Sequence, residues 1–343
     1  MLLFDIKRYA INDGPGIRVT IFMKGCPLAC VWCHNPEGIS PRAEKLYTRK
    51  KCIGCGACVD VCPTGALTLT EAGIVTDRSL CRTCGRCAEV CPTLAMEMSG
   101  REYSIDEVMR EIEKETVFMD RSEGGVTFCG GEPLSHPSDL VALLDRCGAL
   151  GIHRAVDTTL FASPDTVRSV MERTDLFLVD LKHMDSGSHC RFTGVPNERI
   201  LSKSSDDRRG RHRLPHPYPV DRGSQCGRGK LYPRSAIFLA SLPWERKVVN
   251  LLPYHDIGKG KHDKRGNPST IPGAPSAIHP FRSSPAKVYR SIRLLWDNRV
   301  DRRIIRIGVG TARPHLPFLP ILRRRYPGVL LEVFTEEGLV GEV

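Results

Sequence analysis

Fifteen cysteines in a chain of 343 residues is far above ordinary usage, and eleven of them fall into three tight groups. Cys26, Cys30 and Cys33 are spaced C-x3-C-x2-C, in a stretch that runs from Lys24-Gly25-Cys26 to Cys33-His34-Asn35-Pro36. Cys52, Cys55, Cys58 and Cys62 are spaced C-x2-C-x2-C-x3-C-P, and Cys81, Cys84, Cys87 and Cys91 repeat that pattern 29 residues later. Thiolates spaced in this way hold [4Fe-4S] cubanes: three on one tight loop take three irons, and the fourth ligand arrives from elsewhere. In a doubled run the fourth Cys of each motif serves the other cluster. Cys52, Cys55, Cys58 and Cys91 are therefore expected on one cluster, and Cys62, Cys81, Cys84 and Cys87 on the other. Zinc knuckles are the alternative, but they use C-x2-C pairs separated by a longer insert, without the third Cys and the following Pro seen twice here.

The N-terminal trio has three thiolates and no fourth. Two readings stay open on spacing alone. His34 completes a zinc site, or one iron of a cubane is left without a protein ligand, which gives a small molecule an open position to coordinate. In the second reading electrons enter through the doubled run and leave through the open cluster. Cys129, Cys147, Cys190 and Cys226 share no spacing and read as ordinary buried or surface thiols.

The composition, 41% hydrophobic and 26% charged, describes a chain that can bury a core. No apolar run approaches the eighteen or so residues of a membrane span, and no basic region precedes the short apolar stretch at the N-terminus. A cytoplasmic protein with reduced thiols is expected, and no membrane partner. The net charge of +11 is uneven: 23 Lys+Arg face 27 Asp+Glu over 1–202, 9 face 3 over 203–235, 6 face 3 over 236–266, and 12 face 6 over 267–343. The part that carries the cysteine motifs is near neutral, and the basic blocks carry no recognisable chemistry, so no nucleic-acid partner is expected.

Positioning these groups falls to strands and helices that alternate after the cysteine-rich insert. Ser104 with Glu107 forms a capping box for a helix. Gly125 to Cys129 reads as a strand ending in Gly130-Gly131-Glu132-Pro133, and a helix opens at Pro137-Ser138. Arg154 to Thr158, Leu176 to Val179 and Lys247 to Leu252 read as further strands, ending in Asp157-Thr158, in Asp180-Leu181-Lys182 and in Pro253-Tyr254-His255. In parallel sheets the carboxyl ends of the strands share one face, so these polar ends are expected to line one mouth.

These residues resemble the radical SAM activating enzymes of glycyl radical enzymes, the pyruvate formate-lyase activase type. The likeness rests on Asp13-Gly14-Pro15-Gly16-Ile17-Arg18, the Cys26 to Pro36 stretch, Gly130-Gly131-Glu132-Pro133, Asp157-Thr158, Asp180-Leu181-Lys182 and Leu251-Leu252-Pro253-Tyr254-His255. The doubled cysteine run is similar to that of the subgroup serving decarboxylases, dehydratases, lyases and arylsuccinate synthases. The resemblance implies an α/β fold, a partial parallel (β/α)6-type barrel carrying a ferredoxin-like insert with two [4Fe-4S] clusters. It implies S-adenosylmethionine on the open iron of a third cluster, held by Cys26, Cys30 and Cys33. One electron then cleaves the sulfonium, and the 5'-deoxyadenosyl radical takes hydrogen from a glycine of a partner glycyl radical enzyme.

By the same resemblance Gly130, Gly131 and Glu132 meet the methionine amino group. Asp157, Thr158 and Asp180, with the Leu178 carbonyl, form a monovalent cation site beside its carboxylate, and Lys182 and His255 line the cofactor. A flavodoxin or ferredoxin-type protein is the implied electron donor. The rival readings are another radical SAM enzyme with auxiliary clusters and an iron-sulfur electron carrier without catalysis.

The implied organisation is 1–40 for the start of the barrel with its cluster loop, 41–98 for the insert, 99–266 for the rest of the barrel, and 267–343 as an off-pattern basic tail. Within 203–235 the family would show a helix and a strand bearing a cofactor-binding Arg. This chain has four Pro and four Gly there instead, around Arg208-Arg209-Gly210-Arg211. The flanking motifs keep their separation, which compensating shifts of reading frame would produce, in this segment and in the tail; a lineage-specific basic linker is the alternative. A barrel missing an interior strand leaves neighbouring backbone groups unpaired, at about 1–3 kcal/mol for each one buried.

Overall fold

The computed structural model describes residues 1–203, 246–253, 259–265, 289–297, 304–309, 330–335 and 338–342. The chain forms two compact units, Met1–Asp139 with His255–Pro285 and Leu140–Tyr254 with Ala286–Val343.

The first unit is built on β1 (Leu2–Ala10) and β2 (Arg18–Met23), an antiparallel pair. Next comes a lobe of two short antiparallel strand pairs. β3 (Glu44–Tyr47) pairs with β6 (Met96–Ser99), and β4 (Leu67–Thr70) with β5 (Gly73–Thr76). Glu44 lies opposite Ser99, so the chain enters and leaves the lobe side by side. β7 (Arg101–Glu102) returns to β1. The helix Ile105–Glu113 follows and starts on the expected capping box: Ser104 Oγ accepts from the Glu107 N–H at 3.2 Å, and the Glu107 carboxylate accepts from the Ser104 N–H at 2.8 Å. β8 (Gly125–Gly130) then lies parallel to β2, from Arg18 opposite Gly125 to Met23 opposite Gly130. Both strands are almost wholly buried, as parallel strands covered on two faces must be.

Arg18, at 0% exposure, fastens the turn before β2 to β8. Its guanidinium donates to Thr127 Oγ1 at 2.7 Å, the Val126 carbonyl at 2.6 Å and the Pro15 carbonyl at 3.0 Å. Thr127 in turn donates to the Asp13 carbonyl at 2.7 Å, and Thr20 to the Asp13 carboxylate at 2.8 Å. The run Asp13 to Arg18 is thus a polar clasp anchored by the buried Arg18. Gly16 sits at φ +65°, where a Cβ would fall 2.4 Å from the Ser122 carbonyl.

The second unit holds β9 (His153–Thr158) and β10 (Leu176–Leu181), a parallel pair connected through the helix Pro164–Met171 that Ser163 caps. β11 (Arg246–Pro253), β12 (Tyr289–Asp297), β13 (Ile304–Val309), β14 (Leu330–Thr335) and β15 (Gly338–Glu342) complete it. The off-pattern segment 203–235 lies almost wholly outside the described residues. The unpaired edge anticipated beside β10 is not found. β12, from the tail, pairs antiparallel with β10 from Leu176 opposite Asp297 to Leu181 opposite Ile292, and antiparallel with β11 on its other side. A run containing Tyr289, Ile292, Leu294, Leu295 and Trp296 has the residue types that favour a strand, and its backbone pairs with that of β10. Sheet order here departs from a purely parallel one, although β11, β13 and β14 run parallel to one another. Among the described residues no helix is long and apolar enough to cross a membrane.

Removing the Arg18 clasp leaves buried carbonyls without donors. Arg18→Met is expected to lower the unfolding free energy of the cluster-free protein by about 3 kcal/mol, with Arg18→Lys losing less, as read from denaturant midpoints at constant slope.

Candidate functional site

The loop bearing Cys26, Cys30 and Cys33 leaves β2 at Lys24 and is tied down by backbone bonds. The Gly25 N–H donates to the Gly38 carbonyl at 2.8 Å, Cys26 to Ile39 at 3.0 Å, and Cys33 to Cys30 at 3.0 Å. The end of β8 is wedged against it: the Gly131 N–H donates to the Met23 carbonyl at 2.7 Å and the Glu132 N–H to the Gly25 carbonyl at 2.8 Å. A Cβ on Gly131 would fall 2.3 Å from the Gly25 carbonyl and 2.4 Å from that of Gly38. Gly131 is therefore demanded by backbone approach. Glu132 is fully buried, and its Oε1 accepts from the Leu134 N–H at 3.1 Å.

Burial pushes the Cys26 thiol far up from its ordinary range, and the charges of Glu132, Cys30 and Cys33 add to the push. A buried thiol pushed up in this way becomes a thiolate only where a cation neutralises it, as iron does. The donor set fits a cluster.

Sequence reading missed the groups that brace this loop. Lys24 is buried, with its ammonium on the Glu37 carbonyl at 2.5 Å and on Glu44 Oε2 at 3.3 Å; desolvation pulls its pKa down. The short helix Lys259–Lys264 brings Lys261 to Asn35 Oδ1 and to Glu37 Oε1, both at 2.8 Å, and the His262 ring donates through Nε2 to the Cys33 carbonyl at 3.0 Å. These partners lie more than 200 residues apart in sequence, and no local spacing announces them.

In the lobe, two cavities sort the eight cysteines. One is lined by Cys62, Cys81, Cys84 and Cys87, the other by Cys52, Cys55, Cys58 and Cys91. The crossed grouping follows from the chain: each C-x2-C-x2-C turn runs into a one-turn helix, Ala57–Asp60 or Arg86–Glu89, entered through Gly56 or Gly85 in the left-handed region. The fourth thiol of each motif is polarised alike. Hydrogen bonds from Thr64, Ala66 and Leu67 pull the Cys62 thiol down, while at Cys91 bonds from Met96, Thr93 and Ala95 outweigh burial. Among the described residues no three His, Cys, Asp or Glu side chains gather where a single metal ion would sit. The lobe thiols instead ring their cavities, an arrangement that suits a cubane.

In the second unit, Asp157 of β9 lies opposite Leu178 of β10, and Thr158 opposite Val179. Thr158 Oγ1 accepts from the Leu160 N–H at 2.9 Å. Asp180 is buried and paired with the Lys182 ammonium at 2.5 Å. His255 lies outside the described residues. Cys129 and Cys147 are buried and Cys190 exposed, and Cys226 is outside the described residues.

Two family models match the cysteine-bearing segments, a 4Fe-4S dicluster domain over residues 51–95 and a 4Fe-4S single cluster domain over 12–57. The chain is 40% identical over 264 residues to the trans-4-hydroxy-L-proline dehydratase activating enzyme of Clostridioides difficile, covering 77% of this chain and 87% of that one. It is 38% identical over 279 residues to the choline trimethylamine-lyase activating enzyme of Oleidesulfovibrio alaskensis, covering 80% and 90%. The chain belongs to the radical SAM activating enzymes of glycyl radical enzymes. A crystal structure of a domain of pyruvate-formate lyase-activating enzyme from Bacteroides vulgatus is 43% identical, covering 39% of this chain and 82% of that one, with a TM-score of 0.30. As a family member this activase uses S-adenosylmethionine and iron-sulfur chemistry to place a radical on a glycine of a partner enzyme.

The wedge at Gly131 gives a sharp expectation. In Gly131→Ala the methyl group displaces the Gly25 or Gly38 carbonyl, so the first cluster is lost preferentially. Iron and sulfide analysis after anaerobic reconstitution should show one cluster's share missing while the lobe's share stays.

Proposed function

We propose that the activase carries three [4Fe-4S] clusters, two in a ferredoxin-like insert over 41–98 and one on Cys26, Cys30 and Cys33, within a partial parallel barrel. The observation that carries this reading is the sorting of the lobe thiols into two four-cysteine cavities, beside a braced loop that offers three thiols and no fourth. The first cluster, when bound, supplies the single electron that cleaves the S-adenosylmethionine sulfonium.

The chain's own residues then bind and orient. The backbone at Gly130 and Gly131 and the Glu132 carboxylate receive the methionine ammonium group, with Glu132 supplying the anion that an ammonium needs away from water. Asp157, Thr158, Asp180 and the Leu178 carbonyl hold a monovalent cation for the methionine carboxylate. Oxygen donors of this kind suit a hard cation. Lys182 holds Asp180 in place and, with His255, lines the cofactor.

The partner is a glycyl radical enzyme, and its glycine suits hydrogen abstraction because no side chain hinders a planar backbone radical. The relatives named above serve a dehydratase and a lyase, and this chain's partner is of that wider group rather than pyruvate formate-lyase itself. A flavodoxin or ferredoxin-type protein in the cytoplasm donates the electrons.

Anaerobic reconstitution should give about twelve irons per chain, and about eight in Cys30→Ala. With dithionite and S-adenosylmethionine the intact chain should release methionine and 5'-deoxyadenosine, and Cys30→Ala none. A chain that fills two clusters and never forms 5'-deoxyadenosine would be an electron carrier.

A further inference from the structure

The two halves of the cysteine lobe are related by the 29-residue repeat, and most of their cavity linings match under it. Cys62 corresponds to Cys91, Thr64 to Thr93, Gly56 to Gly85, and Leu67 to Met96. Hydrogen bonds to the fourth thiol come from equivalent positions, Cys58 and Cys87 are both buried, and Cys55 and Cys84 are both exposed.

In charge the match fails at three positions, always in the same sense. The cavity of Cys62, Cys81, Cys84 and Cys87 is lined by Lys45, Arg82 and Arg86. The repeat-related residues in the other cavity are Ile74, Ile53 and Ala57. Lys45 is the least exposed of the three cations. Its ammonium donates to Thr76 Oγ1 at 2.5 Å and lies 3.9 Å from Met96 Sδ, both neutral, and among the described residues no carboxylate pairs with it. Desolvation lowers its pKa, and the charges that oppose this are the thiolates of Cys87, Cys81 and Cys58. On the other side, Tyr47 turns a phenol to the cavity, and its hydroxyl accepts from the Ile74 N–H at 3.0 Å.

Cluster potentials follow net charge, hydrogen bonding to sulfur and solvent exposure. Exposure of the thiols and the hydrogen bonds to the fourth thiol are matched here; the neutral Tyr47 hydroxyl adds one hydrogen bond, to Cys52 on the other side, whereas the cationic side chains all line the Cys62, Cys81, Cys84 and Cys87 cavity. A half-buried cation without a carboxylate partner stabilises whichever oxidation state is more negative, which is the reduced one. We infer that Lys45, helped by Arg82 and Arg86, makes the two lobe clusters unequal, so that the cluster on Cys62, Cys81, Cys84 and Cys87 accepts an electron at the higher potential. Arg82 and Arg86 are exposed and screened, so Lys45 carries most of the difference. The inference rests on the cluster reading above and adds to it a direction: an electron delivered to the lobe rests on the Lys45 side.

The test is a potentiometric titration of the anaerobically reconstituted full chain with dithionite, followed by electron paramagnetic resonance. The first cluster is set apart as the one whose signal changes when S-adenosylmethionine is added. The remaining two clusters should reduce in separate one-electron steps. Lys45→Met should lower the higher step and leave the lower one in place, and Lys45→Arg should keep it near its original value. Should Lys45→Met fail to hold iron, Arg82→Ile with Arg86→Ala, both at exposed positions, should lower the same step by a smaller amount. Coincident steps in the intact chain at full iron content, or substitutions that move both steps equally or neither, would overturn this inference alone. A lobe that holds fewer than about eight irons would overturn the cluster reading and this inference with it.

Discussion

The contact on which the site depends is between backbones. Gly131 lies so close to the carbonyls of Gly25 and Gly38 that no side chain fits, and its amide and that of Glu132 bond to Met23 and Gly25. The loop that carries Cys26, Cys30 and Cys33 is braced by a neighbour. β8 provides that neighbour because it lies parallel to β2 in a register that ends with Met23 opposite Gly130. Arg18 sets the other end of the same strand pair through Thr127 and Val126. The chemistry at Cys26, Cys30 and Cys33 is thus fixed by a strand register about six residues long, clasped at one end by a buried cation and at the other by a glycine.

The lobe solves a related problem differently. Each half makes its own turn of three thiols through a left-handed glycine and borrows only the fourth thiol from its twin. Pairing β3 with β6 closes the lobe at its base, which lets it interrupt the crossover between β2 and β8 without altering their register. Duplication produces near-equal environments, and the departures from equality, at Lys45, Arg82 and Arg86, are where electron flow acquires a preference.

Much of this was legible in the sequence because the chemistry is local. The cysteine spacings group the lobe thiols as the two cavities do, the Ser104 and Glu107 pair names a helix start, and the polar ends of β8, β9 and β10 were read within a residue or two of where the strands end. What escaped was long-range and unpatterned. Lys261 and His262 meet the Cys33 loop from more than 200 residues away, and Lys24 looks like any surface lysine until its burial is seen. The strand beside β10 was misjudged for the same reason. A gap in 203–235 was visible, whereas the ability of Tyr289–Asp297 to pair across it was not, since sheet order is set by tertiary pairing rather than by neighbours in sequence.

The claim at the centre is that the cluster on Cys26, Cys30 and Cys33 keeps one iron open for the methionine end of S-adenosylmethionine. Electron-nuclear double resonance on the reduced protein, with S-adenosylmethionine carrying ¹⁵N at its amino group, tests it directly. The account predicts a ¹⁵N coupling in the cluster signal that vanishes in Cys30→Ala. A reduced, fully loaded protein that shows no nitrogen coupling would contradict it.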